Sequence, residues 1–138
     1  MKRTKKNNKG FSLVELIVVV LIMAIIAVAL APQVMKWVNE SRKSADASTY
    51  DSVVAAAQDA LADEATWNAC AGKSFKITIN KDGCTVGTEA PTEFNDSFQK
   101  HMGGEGAVKA IKMKQSGAEA EVTVNDGTVE RTKEPTVA

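Results

Sequence analysis

The stretch FSLVELIVVVLIMAIIAVALA, residues 11–31, carries a single charge, Glu15, in an otherwise lipid-soluble run. It is long enough to cross a hydrocarbon core, which takes about 20 apolar residues. An unpartnered carboxylate in such a segment costs roughly 2.5–3.5 kcal/mol on insertion scales, so Glu15 marks a functional position. Something must neutralise it. Lys2, Arg3, Lys5, Lys6 and Lys9 form a basic stub that ends at Gly10. That placement predicts a cytoplasmic N-terminus and an exported C-terminal body. A cut between Gly10 and Phe11 would create an α-amine four residues from Glu15.

Three segment types share this grammar. A secretory signal peptide has a basic stub, an apolar stretch and a small-x-small cleavage triplet. Ala27-Val28-Ala29 and Ala29-Leu30-Ala31 supply such triplets, although the second would leave Pro32 next in line and Glu15 would sit inside the apolar region. A plain single-pass anchor, carrying for example an adhesin or sensor domain, explains the hydrophobicity but neither Gly10 nor Glu15. The run Lys9-Gly10-Phe11-Ser12-Leu13-Val14-Glu15 and the apolar stretch after it resemble the type IV prepilin family over about the first thirty residues.

That resemblance implies a prepilin peptidase cutting after Gly10 and N-methylating Phe11. It also implies an assembly ATPase with its membrane platform, and transfer of the subunit from membrane lipid into a homo-oligomeric helical filament outside the cell. In that filament Glu15 would meet the Phe11 α-amine of a neighbouring subunit and set the register, while Pro32 would be a point of helix kinking or melting. A structural subunit of a type IV pilus is the leading expectation. A pseudopilin of a type II secretion or DNA-uptake system is the alternative within the family. Adhesion and twitching motility are not separated from secretion or DNA uptake by these residues.

Composition bounds the rest. Seventeen basic and seventeen acidic residues balance over 138, but without the five leader cations twelve face seventeen. That excess of acid does not indicate DNA binding, which needs a basic surface, although local basic strips remain open. Cys70 and Cys84 are an even count on the side expected to be oxidising, and a disulfide between them would be worth about 3 kcal/mol in the chain-entropy model. Zinc is the weaker use because the sole histidine, His101, has no companion at ligand spacing; free thiols are the second choice. No cofactor is expected, and no enzyme: His101 lacks a catalytic partner, and Asp59, Asp63 and Glu64 read as solvated helix charges.

The expected fold is α+β, with a long N-terminal helix packed on a small antiparallel sheet. The boundaries are a leader at 1–10, a transmembrane and polymerisation helix at 11–31, an amphipathic helix at 32–70 and a β-rich head at 71–138. Pro32 lacks an N–H and crowds the preceding turn, hence the kink. Lys36 and Trp37 suit either a membrane interface or ordinary helix surface. Tyr50, Val53, Val54, Ala57 and Leu61 recur at helical steps, with Ser52, Asp59 and Asp63 opposite. Helix from Phe11 to about Asn68 would be roughly 85 Å long.

Beyond it, Phe75, Ile77 and Ile79 alternate with polar residues, a short strand is expected over 84–86 after the turn Lys81-Asp82-Gly83, and a helix over 93–102. Gly103, Gly104 and Gly106 read as a connector and 108–114 as a strand. Residues 122–125 and 128–131 form a hairpin about Asp126-Gly127. The tail from Thr132 reads as loose.

Overall fold

A computed structural model describes residues 10–135. The basic stub, Lys2 to Lys9, and the last three residues of the tail lie outside them. The chain divides into two units that meet between Val38 and Asn39.

Helix α1, Leu13–Leu61, belongs to both and passes through Pro32 without interruption. Within the first unit it buries no side chain: residues 10–38 are exposed throughout. Within the second unit the amphipathic pattern is realised. Tyr50, Val53, Val54, Ala57, Ala60 and Leu61 are buried, while Ser52 and Asp59 face water. Helical period and burial agree because the stripe covers one face of a sheet.

That sheet is antiparallel, in the order β2-β1-β3-β4. Its strands are β1 (Ser74–Ile79), β2 (Cys84–Val86), β3 (Ala120–Asn125) and β4 (Thr128–Lys133). The register sets Phe75 against Val124, Ile77 against Val122 and Ile79 against Ala120. All six are buried and, with the α1 stripe, form one apolar core. Lys76, Thr78 and Thr123 lie on the other face. A long helix packed on a small four-stranded antiparallel sheet is therefore the α+β architecture expected from the sequence.

Helix α1 ends seven residues before Asn68, contrary to expectation. Ala62 and Asp63 break it, and α2 restarts over Glu64–Cys70. Asp63 adopts extended angles there, its carbonyl accepts the Trp67 amide at 2.9 Å, and its carboxylate accepts the Thr66 hydroxyl at 3.2 Å. An aspartate serves better at a helix start than in a helix interior.

Helix α3, Thr92–Met102, follows the expected segment. Phe94 stacks 5.8 Å from Phe98 and meets Phe75 edge-on at 4.7 Å, which fixes α3 to the end of β1. The strand expected over 108–114 is absent. Helix α4 occupies Glu105–Ala110, and residues 111–114 form no strand. The glycines before it are caps rather than a connector. Gly103 takes φ 93° and closes α3, and the Gly104 amide returns to the Gln99 carbonyl at 2.7 Å. A Lys109–Glu105 pair at 2.6 Å one turn apart then supports α4.

The hairpin tip is Asp126-Gly127, with φ of 48° and 73°, the sign pair a two-residue primed turn needs. It is docked as well as turned. The Asp126 carboxylate accepts the Gly72 amide at 2.7 Å, and the Asp126 amide donates to the Lys73 carbonyl at 2.9 Å. Strand β4 runs to Lys133, so the tail is ordered further than expected. Arg131 on that strand pairs with Asp51 of α1 at 2.8 Å and lies 5.5 Å over the Tyr50 ring, whose hydroxyl donates to the Glu121 carbonyl.

Candidate functional site: the processing and assembly segment

Backbone at Gly10, Phe11 and Ser12 is non-helical, and α1 begins at Leu13. Phe11 is 86% exposed. Gly10 is equally open: a Cβ built on it would meet nothing within 4 Å among the described residues, and its φ is not in the left-handed region. Nothing among the described residues requires glycine at position 10.

Glu15 stands in the first turn of α1, where a carboxylate faces the positive end of the helix dipole. Its Oε2 accepts the Ser12 amide at 2.9 Å, and the Ser12 carbonyl accepts the Leu16 amide at 3.3 Å. Ser12 and Glu15 thus hold the reaching-back half of a capping box, Ser-x-x-Glu. That pattern is legible at residues 12–15, but the sequence reading took Glu15 only as a buried charge awaiting an amine. In the single subunit the carboxylate already organises the helix start, one residue from where cleavage would leave the Phe11 amine.

Past Glu15 the surface is apolar on all sides. Among the described residues, every exposed large hydrophobic side chain except Trp67 lies between Phe11 and Val38. A helix hydrophobic all round is stable only when lipid or other helices cover it. The segment is long and apolar enough to cross a membrane, and none of it is buried in the subunit.

Residues 5–31 carry the prokaryotic N-terminal methylation motif. This is the leader signature of type IV pilins, and it supports a precursor of the pilin or pseudopilin kind. The methylation motif implies processing by a prepilin peptidase and handling by pilus assembly machinery, and it suggests a structural subunit rather than an enzyme. With the apolar helix it also fits membrane insertion. No curated protein and no solved structure matches the chain.

The two cysteines lie far from this segment in sequence. Cys70 closes α2 and Cys84 opens β2, both within the apolar core, and both are free thiols rather than the disulfide expected. Burial pushes the Cys84 thiol up to about 12 and the Cys70 thiol above its ordinary value, with Lys73 pulling the latter partly back. A neutral buried thiol is a poor nucleophile, so the folded subunit resists oxidation at these positions. No group of three or more metal-ligating side chains occurs among the described residues.

Sequence reading missed Asp46. It is 1% exposed on α1, and its carboxylate accepts the Lys114 amide at 2.6 Å and the Gln115 amide at 3.1 Å. The Gln115 side chain donates in turn to the Asn39 carbonyl at 3.3 Å. These bonds draw residues 114–115 against α1 where the second unit begins. The one local signal was an acid placed within the helical stripe.

Proposed function

We propose that this chain is the structural subunit of a type IV pilus filament: cut after Gly10, methylated on the Phe11 amine, held in the cytoplasmic membrane by residues 11–31 with its head outside, then polymerised. The observation that carries the proposal is an unburied apolar stretch, residues 11–31, whose only acid, Glu15, sits at the start of α1 beside an accessible Gly10–Phe11 bond. Packing of the apolar surfaces of neighbouring helices supplies cohesion through van der Waals contact, since these surfaces leave lipid rather than water. Cohesion of that kind has no register of its own. A Glu15 carboxylate matched to the freed Phe11 amine of a neighbour supplies it, because each misaligned arrangement leaves a charge unpaired in an apolar setting at a cost of several kcal/mol.

Intact-mass and N-terminal analysis of the protein in material sheared from the cell surface tests this directly. The expected product begins at Phe11 and carries one added methyl group. Recovery of the chain only from membranes, as single molecules with Lys2 to Lys9 still attached, would overturn the proposal.

A further inference from the structure

The second unit carries a cationic cleft where α1 enters it. Asn39, Glu40, Arg42 and Lys43 from the helix and Gln115 and Ser116 from the facing segment enclose about 330 Å³, open on one side. Asp46 and Gln115 hold the two walls together, as described above. In the 111–115 segment Met113 and Gln115 are buried while Lys112 and Lys114 are exposed, so both lysines lie on its outer side. The Lys114 amide's bond to Asp46 thus sets the segment that carries Lys112 and Lys114 beside the turn of α1 that carries Arg42 and Lys43, whose side chains line the cleft. None of the four has an acidic side chain within salt-bridge distance among the described residues. Glu40 is the one acid in the cleft wall, and Asp46 is committed to two backbone amides. The concentration of cations runs against the chain outside the leader, where acids are in excess.

From this we infer that the cleft and its rim bind the phosphate headgroup of an anionic phospholipid, which rests on the membrane-anchored state proposed above. Two observations select lipid over other anionic partners. Arg42 and Lys43 follow Ala31, the last residue of the membrane segment, by eleven and twelve positions in the same helix, a contour distance of roughly 16–18 Å, with the interface-type residues Lys36 and Trp37 between. The cleft also has the volume of a headgroup rather than the length of a polymer groove. Each cation near an anionic leaflet is worth roughly fivefold in affinity. The contact would seat the head on the leaflet before assembly and be given up as the subunit leaves the bilayer.

Native mass spectrometry of the full chain in neutral detergent, titrated with phosphatidylglycerol or phosphatidylcholine, tests it. Phosphatidylglycerol should be retained preferentially, and R42Q/K43Q should weaken its binding roughly 25-fold on that per-cation scale. K73Q/K100Q, which removes two cations outside the cleft, should leave it unchanged. Equal retention of the two lipids, or unchanged phosphatidylglycerol binding by R42Q/K43Q, would overturn the inference. So would full competition by inorganic phosphate, which would make the ligand a free anion, or a dimer that R42Q/K43Q dissolves, which would make it a second copy. Because no filament is needed, a chain that enters micelles and ignores lipid charge defeats this inference alone. A chain that stays soluble without detergent defeats the membrane reading itself.

Discussion

Asp46 and Lys114, 68 residues apart in sequence, meet through a 2.6 Å hydrogen bond from the Lys114 amide to the buried Asp46 carboxylate. With the Gln115 amide alongside, one side chain satisfies two successive backbone donors that have no helix or strand to serve them. Asp46→Ala should destabilise the head by about 2–4 kcal/mol, since both amides lose a charged acceptor in a buried place. Asp46→Asn, which keeps one acceptor oxygen, should cost less. Urea unfolding of the full chain in detergent, followed by the near-ultraviolet signal of Tyr50 and Trp67, measures both; equal stability of Asp46→Ala and the parent would refute the clasp.

Gly127 and Trp67 form a second long-range pair. A Cβ at Gly127 would lie 2.5 Å from the indole Nε1, and its φ of 73° already disfavours a side chain. Gly127→Ala should cost about 1–3 kcal/mol, from strain plus the clash. Adding Trp67→Ala should return the steric part and leave the backbone part, so the two changes should be non-additive in a thermal-unfolding cycle.

On the proposed function Glu15 has two separable jobs, the observed cap on Ser12 and a pairing with a neighbour's amine. Glu15→Gln keeps an oxygen able to accept the Ser12 amide and removes the charge, whereas Glu15→Ala removes both. Helix content of the detergent-solubilised subunit should be retained by Glu15→Gln, and both variants should fail to assemble while still being cleaved after Gly10. Normal fibres from Glu15→Gln, seen by electron microscopy of sheared material, would leave only the capping role.

Cys84 makes the head sensitive to alkali. Its thiol is raised from an unfolded value near 9 to about 12, so above pH 9 the unfolded chain binds fewer protons than the folded one. The stability linked to that proton is fully present below pH 9 and is lost as pH rises toward 12, with a limiting slope of about 1.4 kcal/mol per pH unit. Cys84→Ala should flatten the slope in denaturant titrations over that range. Alkylation of the unfolded, unreduced protein should add two labels, because both thiols are free; no label would mean that a disulfide had formed.

Elements defined by their own local period were legible in the sequence. Tyr50, Val53, Val54, Ala57 and Leu61 declare a helix face, and Phe75, Ile77 and Ile79 a strand face, because burial on one side imposes that spacing. The Asp126-Gly127 turn carries its chirality in its residue types. Residues 108–114 misled because Val108, Ile111 and Met113 fit no single period: Val108 belongs to a short helix and Met113 to the segment after it. The break at Ala62-Asp63 needed weighing an aspartate as a helix start rather than as one more polar position. Asp46 was out of reach for a different reason, since its partners are backbone amides whose identity leaves no mark in sequence. At the processing segment Gly10, Phe11 and Glu15 stood out as anomalies, while the Ser12–Glu15 cap was written in the same four letters and passed over.

The emptiness around Gly10 carries a consequence for anyone improving this subunit. Thermostability screens reward residues that the head itself can feel, and position 10 is invisible to them. If the chain is cut after Gly10 as proposed, drift there would survive any such selection with an unchanged melting curve and show its damage only in living cells, where a peptidase would make its choice.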